Sequence, residues 1–183
     1  VEIVSNYTSQ VYRYPWKDDF SEARNYSFSK ASMNYCMWMD ADDVLEETEK
    51  GKFLELKQIL APDTDMVMMK YNTSFDEAGK PSFSYFRERW IRNCARYRWI
   101  GAVHEVIPPS GRIVYSDIAI CHKKVGTGDP DRNLRIYRKL LAEGKTLDLR
   151  QQYYYGRELY YHGLYEEAVS VLEAFLLSEA GWV

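Results

Sequence analysis

Apolar and polar positions change period several times along the chain, and each change predicts an element. Val11-Tyr12-Arg13-Tyr14 is a short β-prone run stopped by Pro15. Asp19-Phe20-Ser21-Glu22 has the form of a capping box with Asp19 as N-cap. It predicts a helix to about Ser32 that buries Ala23, Phe28 and Ala31. Asn34 to Met39 is apolar almost throughout, the pattern of a strand covered on both faces in an α/β protein. That run ends abruptly in Asp40-Ala41-Asp42-Asp43. Glu46 to Leu60 then reads as a helix with Phe53, Leu56 and Leu60 on one side, closed by Pro62.

Met66 to Tyr71 and Ser82 to Ile91 are expected as strands joined through Gly79-Lys80-Pro81. Trp99 to Ile107 and Arg112 to Ile120 repeat the pattern around Pro108-Pro109-Ser110-Gly111. The order predicts an α/β layer with an antiparallel or mixed extension. From Asp131 the spacing turns helical through Leu134, Tyr137, Leu140 and Leu141. Two further helices, Arg150 to His162 and Tyr165 to Ser178, are broken by Gly163-Leu164. The Gly/Pro-rich stretch from Gly126 to Pro130 suits a linker and divides the chain into 1–126 and 131–183.

Composition narrows the classes. With 46% hydrophobic and 15% aromatic residues over 183 positions, the chain can bury a core and is not disordered. A formal charge of -3 argues against a nucleic-acid polymer as partner, while a small phosphate-bearing ligand is still open if a metal ion supplies positive charge. No apolar run is long enough to span a bilayer. Cys36, Cys94 and Cys121 form no CxxC pair, which fits a reducing cytoplasm, either free in it or peripheral at the inner membrane face. The sequons at Asn6, Asn25 and Asn72 are read as chance.

The acidic strand end is the central chemical signal. Carboxylates inside a covered strand are costly, so Asp40, Asp42 and Asp43 mark where the chain leaves the sheet, and open α/β sheets bind ligands beyond such strand ends. Carboxylates one residue apart can share a hard divalent cation that also meets phosphate oxygens. A plainer reading has Asp42 and Asp43 capping the next helix; a third makes Asp40, Asp42 and Asp43 a structural calcium site. Arg87, Arg89, Arg92, Arg96 and Arg98 form a basic stretch. Alternation sets Arg87, Arg89 and Ile91 on one face, as a solvated strand or as a surface for an anionic donor or acceptor.

Asp19 to Asn25, the short helix, Asn34 to Met39 and Asp40 to Leu45 together resemble the core of family 2 glycosyltransferases with the GT-A fold. The closest likeness is to a bacterial subgroup carrying tetratricopeptide repeats. Phe86 to Asn93, Trp99 to Ile107 and His122 follow as later landmarks, so the likeness covers most of Tyr14 to His122. It implies a GT-A-like mixed sheet with flanking helices and an inverting hexosyltransferase using a nucleotide-diphosphate sugar, UDP-linked in the first instance. Mn²⁺ or Mg²⁺ is the implied cofactor, and the acceptor is a glycan, a lipid or a protein.

By this resemblance Asp40 faces the donor ribose or the metal, and Asp42 ligates the metal under the diphosphate. Asp19, Arg24, Asn25 and Arg89 belong to the donor side. Arg24 either reaches phosphate or a base edge through its planar fork or is an exposed helix arginine. His122 is a third metal ligand or a satisfied histidine, and Lys123-Lys124 after it can neutralise phosphate. Glu105, with His104 beside it, is the candidate base that takes the acceptor proton; the alternative is that the pair only holds a loop.

The family opens with a strand, a helix and an acidic strand end gripping uracil and ribose, and none of these precedes Val11. The sheet is therefore expected to be incomplete at its N-terminus, with an edge open to self-association and little activity in this piece alone. Tyr153 to Ala168 resembles a tetratricopeptide helix pair, placed at about 150–178. Gly156 and Ala168 allow close approach, and Tyr165 and Leu172 fill the groove. On a rival reading these helices make the chain a protein-interaction module, and they offer a second route to a homo-oligomer.

Overall fold

The computed structural model of the chain describes residues 2–123, 126 and 128–178. In chain order the elements are α1 (Glu2–Ser5), α2 (Phe20–Phe28), β1 (Tyr35–Met37), β2 (Asp43–Val44), α3 (Glu47–Ile59), β3 (Met66–Phe75), β4 (Pro81–Arg92), β5 (Ile113–His122), α4 (Arg132–Ala142), α5 (Leu149–Tyr161) and α6 (Tyr165–Leu177). They fall into two compact units of interleaved chain. One is made of 28–98 and 107–127, the other of 1–27, 99–106 and 128–183. The first two segments of the latter thus group with the C-terminal helices.

The first unit holds a five-stranded mixed sheet in the order β1-β4-β3-β5-β2. β3 sits at its centre, antiparallel to β4 and parallel to β5. Met66, Val67 and Met69 of this central strand are fully buried, as a strand flanked on both edges requires. Phe53, Leu56 and Leu60 of the α3 segment pack against Val67, Met69, Tyr71, Trp90, Ile118 and Ile120. The Phe53 and Trp90 rings stack with centroids 5.4 Å apart.

Several expectations are corrected here. β1 is an edge strand in which only Cys36 is buried, because its one partner is β4. The run Val11 to Tyr14 makes no strand. α2 stops at Phe28 and buries none of its residues fully, and Ala31 is exposed. Trp99 to Ile107 forms no strand, only one isolated bridge between Ile100 and Val106. Gly101 (φ 93°) and His104 (φ 53°) both lie in the left-handed region, which breaks any extended run. β5 accordingly pairs with β3 and not with that segment.

Alternation along β4 also fails at one point. Val67 faces Trp90 while Met68 faces Glu88, so Arg89 is the extra residue of a β-bulge. The result is a run, Glu88 to Ile91, buried on every residue. Arg89 is therefore not on a solvated strand face.

In the second unit α4, α5 and α6 share a core of Leu134, Ile136, Tyr137, Leu147, Tyr155, Leu159 and Ala168, joined by Ala102 and Val103 of the 99–106 loop and by Phe20. Asp148 opens α5 with a complete capping box to Gln151. Gly156 lies against Leu172, close enough that a Cβ there would come within 2.6 Å of that side chain. No helix among the described residues is long and apolar enough to cross a membrane.

Candidate active site

The acidic segment is a tight turn feeding a two-residue strand. The Asp43 amide donates to the Asp40 carbonyl, and the Asp40 amide donates to Asp43 Oδ2, both at 3.0 Å. β2 then pairs with β5, setting Asp43 opposite His122. The Lys123 amide donates to the Asp42 carbonyl at 2.7 Å and extends that pairing by one residue. Helix α3 begins at Glu47 with Glu46 as N-cap, so neither Asp42 nor Asp43 caps it.

Asp43 has no exposed side-chain surface and is held from three directions. Arg89 Nη1 donates to Oδ2 at 2.8 Å, the Tyr71 hydroxyl donates to Oδ1 at 2.8 Å, and the Asp40 amide completes the set. Burial pushes the Asp43 carboxyl up, but the Asp40 amide, the Arg89 charge and the Tyr71 hydroxyl outweigh it and hold the pKa below the ordinary value. Burial, with Asp43 beside it, pushes the Tyr71 hydroxyl up. Arg89 is fully buried, its guanidinium 3.7 Å from the Trp38 ring centroid and 4.3 Å from that of Tyr71. Such a sandwich suits a weakly hydrated planar cation.

One carboxylate oxygen each from Asp42 and Asp43 and a ring nitrogen of His122 lie within 4.8 Å of one another. His122 Nδ1 is 3.5 Å from Asp42 Oδ1 and 3.6 Å from Asp43 Oδ1, and this buried nitrogen has no hydrogen-bond partner. A buried ring nitrogen is costly to leave unmatched, and a cation between these three donors satisfies it. Two carboxylates and one imidazole form a mixed oxygen and nitrogen donor set that could hold a divalent cation. Asp40 is not a member of the group, and Asp43 is. Asp43 joins the group through the β2–β5 register, which sets it opposite His122.

Asp19, Arg24, Asn25, His104 and Glu105 lie in the helical unit. Asp19 caps α2, accepting from the Glu22 amide at 2.9 Å and the Ser21 hydroxyl at 2.7 Å. The Glu22 carboxylate takes the Tyr14 hydroxyl at 2.6 Å, so the reciprocal half of the capping box goes elsewhere. Asn25 clamps the Trp99 backbone, its Nδ2 donating to the carbonyl at 2.9 Å and its Oδ1 accepting from the amide at 3.0 Å. Arg24 lies over the Trp99 ring at 4.8 Å and pairs with Glu105 through Nε at 2.5 Å. Arg24 is thus not an exposed helix arginine, and Glu105 is a buried, oriented carboxylate. His104 stacks on Tyr154 with centroids 4.0 Å apart. Lys124 lies outside the described residues; Lys123 is ion-paired with Glu46 at 3.8 Å.

The mixed sheet with its flanking helices and the C-terminal helical stretch has the layout of a GT-A-like α/β protein. Residues 1–119 match the family described as Glycosyl transferase family 2, and the chain belongs to that family. Its class of chemistry is therefore glycosyl transfer. The match ends before His122, which the sequence offered as a third ligand and the β2–β5 pairing sets opposite Asp43. A comparison with curated proteins finds no match.

Proposed function

We propose that the chain is an inverting hexosyltransferase that uses a uridine diphosphate sugar and a divalent cation. What supports this reading is the convergence of Asp42, Asp43 and His122 within 4.8 Å in a chain of glycosyl transferase family 2. Asp42, partly exposed at 33% of its side chain, would hold the cation together with Asp43 and His122. Bound there, Mn²⁺ or Mg²⁺ supplies charge to a departing diphosphate. Arg89 serves the donor through Asp43, whose carboxylate it orients. Asp40, and with it Asp19, Arg24 and Asn25, belongs to the donor side. Glu105, held by Arg24, takes the acceptor hydroxyl proton as general base, with His104 beside it. The residues that would touch donor, cation and acceptor fall within 1–126, and the pair of helices at about 150–178 is tetratricopeptide-like.

Calorimetric titration of Mn²⁺ into the chain, with and without UDP, tests this. Mn²⁺ should bind weakly alone and more tightly with UDP, whose diphosphate charge it would offset. Asp42→Asn should abolish the difference. Equal Mn²⁺ binding by wild type and variant, with UDP present, overturns the assignment.

A further inference from the structure

The loop from Trp99 to Val106 lacks regular structure, yet it carries Glu105 in one fixed orientation. Its backbone is strained at His104 (φ 53°), a conformation that persists only when the surroundings impose it. Those surroundings come largely from the C-terminal helices. Tyr154 of α5 stacks against the His104 ring at an interplanar angle of 21°. His104 Nε2 lies 3.4 Å from Glu158 Oε1, and Asn133 of α4 donates to the same oxygen at 3.1 Å. Arg150 Nη2 reaches the His104 carbonyl at 3.4 Å. Ala102 and Val103 are buried in the α4–α6 core, and the Ala102 carbonyl accepts from the Phe20 amide at 2.9 Å.

Glu158 is 9% exposed, an uncommon location for a carboxylate in the middle of a helix. Burial pushes its carboxyl up, and the hydrogen bonds from His104 and Asn133 outweigh that and hold it low. Its burial costs stability, and its side-chain partners are Asn133 and His104, the residue immediately before Glu105.

We propose that Glu158 and Tyr154 of α5 are positioning residues for Glu105, and that the C-terminal helices are part of the catalytic apparatus. The proposal rests on the reading of Glu105 as base. Glu158 touches no reacting atom; it acts through His104 on the loop geometry, where a displacement near 1 Å can cost about a hundredfold in rate.

The test uses the full chain with Glu158→Leu, Glu158→Gln and, separately, Glu105→Gln. Amide hydrogen exchange is followed at 99–106, and turnover is followed with UDP-glucose and Mn²⁺. Glu158→Leu should speed exchange across 99–106 by about tenfold, with β3 amides unchanged. Glu158→Gln, which keeps an acceptor for His104 and Asn133, should recover most of the protection. In turnover, Glu158→Leu should lower kcat and leave the KM for UDP-glucose unchanged. Unchanged loop exchange in Glu158→Leu overturns the proposal, and so does a uniform rise across the helical unit, which would mark general loosening. If Glu105→Gln is inactive while Glu158→Leu turns over normally, the positioning role falls and the base reading stands. If Glu105→Gln is fully active, the base reading falls whatever the exchange shows.

Discussion

Asp42 and Asp43 adjoin in sequence but have opposite surroundings, and their substitutions should diverge. Asp43 balances the charge of a fully buried arginine. Asp43→Asn leaves Arg89 without its counter-charge and should cost about 3–5 kcal/mol, read from urea unfolding. Asp42→Asn, at the partly exposed rim, should change stability by about 0.5 kcal/mol or less while removing the Mn²⁺ response. The sign of the pH effect follows from the direction of the Asp43 shift. Its folded pKa lies below the unfolded value of about 3.9, so its contribution is complete above about pH 4. The contribution is lost as pH falls through the lowered folded value. Acid unfolding of the wild type should steepen in that window, and Asp43→Asn should flatten it; parallel acid limbs would count against the ion pair.

At the scale of elements, α5 and α6 meet at Gly156, where an added Cβ would come within 2.6 Å of Leu172 Cγ and Cδ2. Alanine brings a helix-propensity gain of about 1 kcal/mol, opposed by an overpacking cost of about 1–3 kcal/mol. Gly156→Ala should therefore lower the thermal midpoint, and a rise would show Leu172 free to move. Close approach at Gly156 and Ala168 was legible in the sequence, as were α3, β3, β4 and the three C-terminal helices, because each has a sustained period and a clear breaker; Tyr165, expected to fill the groove, is exposed. The failures share a cause. Trp99 to Ile107 reads as a strand from its apolar residues, but two left-handed positions, one of them non-glycine, leave no mark in periodicity. Local apolarity cannot tell an edge from a centre, so β1 was overrated. The bulge at Arg89 and the two-residue pairing of β2 with β5 are long-range matters of register. The candidate metal group rests on the second of these, so Asp42 and His122 were named from the sequence while the place of Asp43 beside them was not.

Across the whole molecule, the helical unit draws on three separated stretches of chain. Its core is completed by Phe20, Ala102 and Val103, none of which lies in 131–183. Helix pairs of this kind bury too little apolar surface alone, and arrays need about three repeats for stability. A peptide covering 131–183 should therefore show weak helicity and no cooperative melting by circular dichroism. A sharp, reversible transition in that peptide would establish an independent interaction module and detach it from the transferase.

The strained backbone at His104 also has a consequence in time. As the chain is synthesised, Glu105 emerges before α4 and α5 exist, and making the stretch from 107 to 161 takes roughly 3–10 s. Through that interval the contacts of α4 and α5 around His104 are missing, and the loop is freer to sample the cheaper right-handed and extended states. A nascent chain thus carries its acidic strand end and Glu105, the proposed base, before α4 and α5 are there to hold the loop at His104.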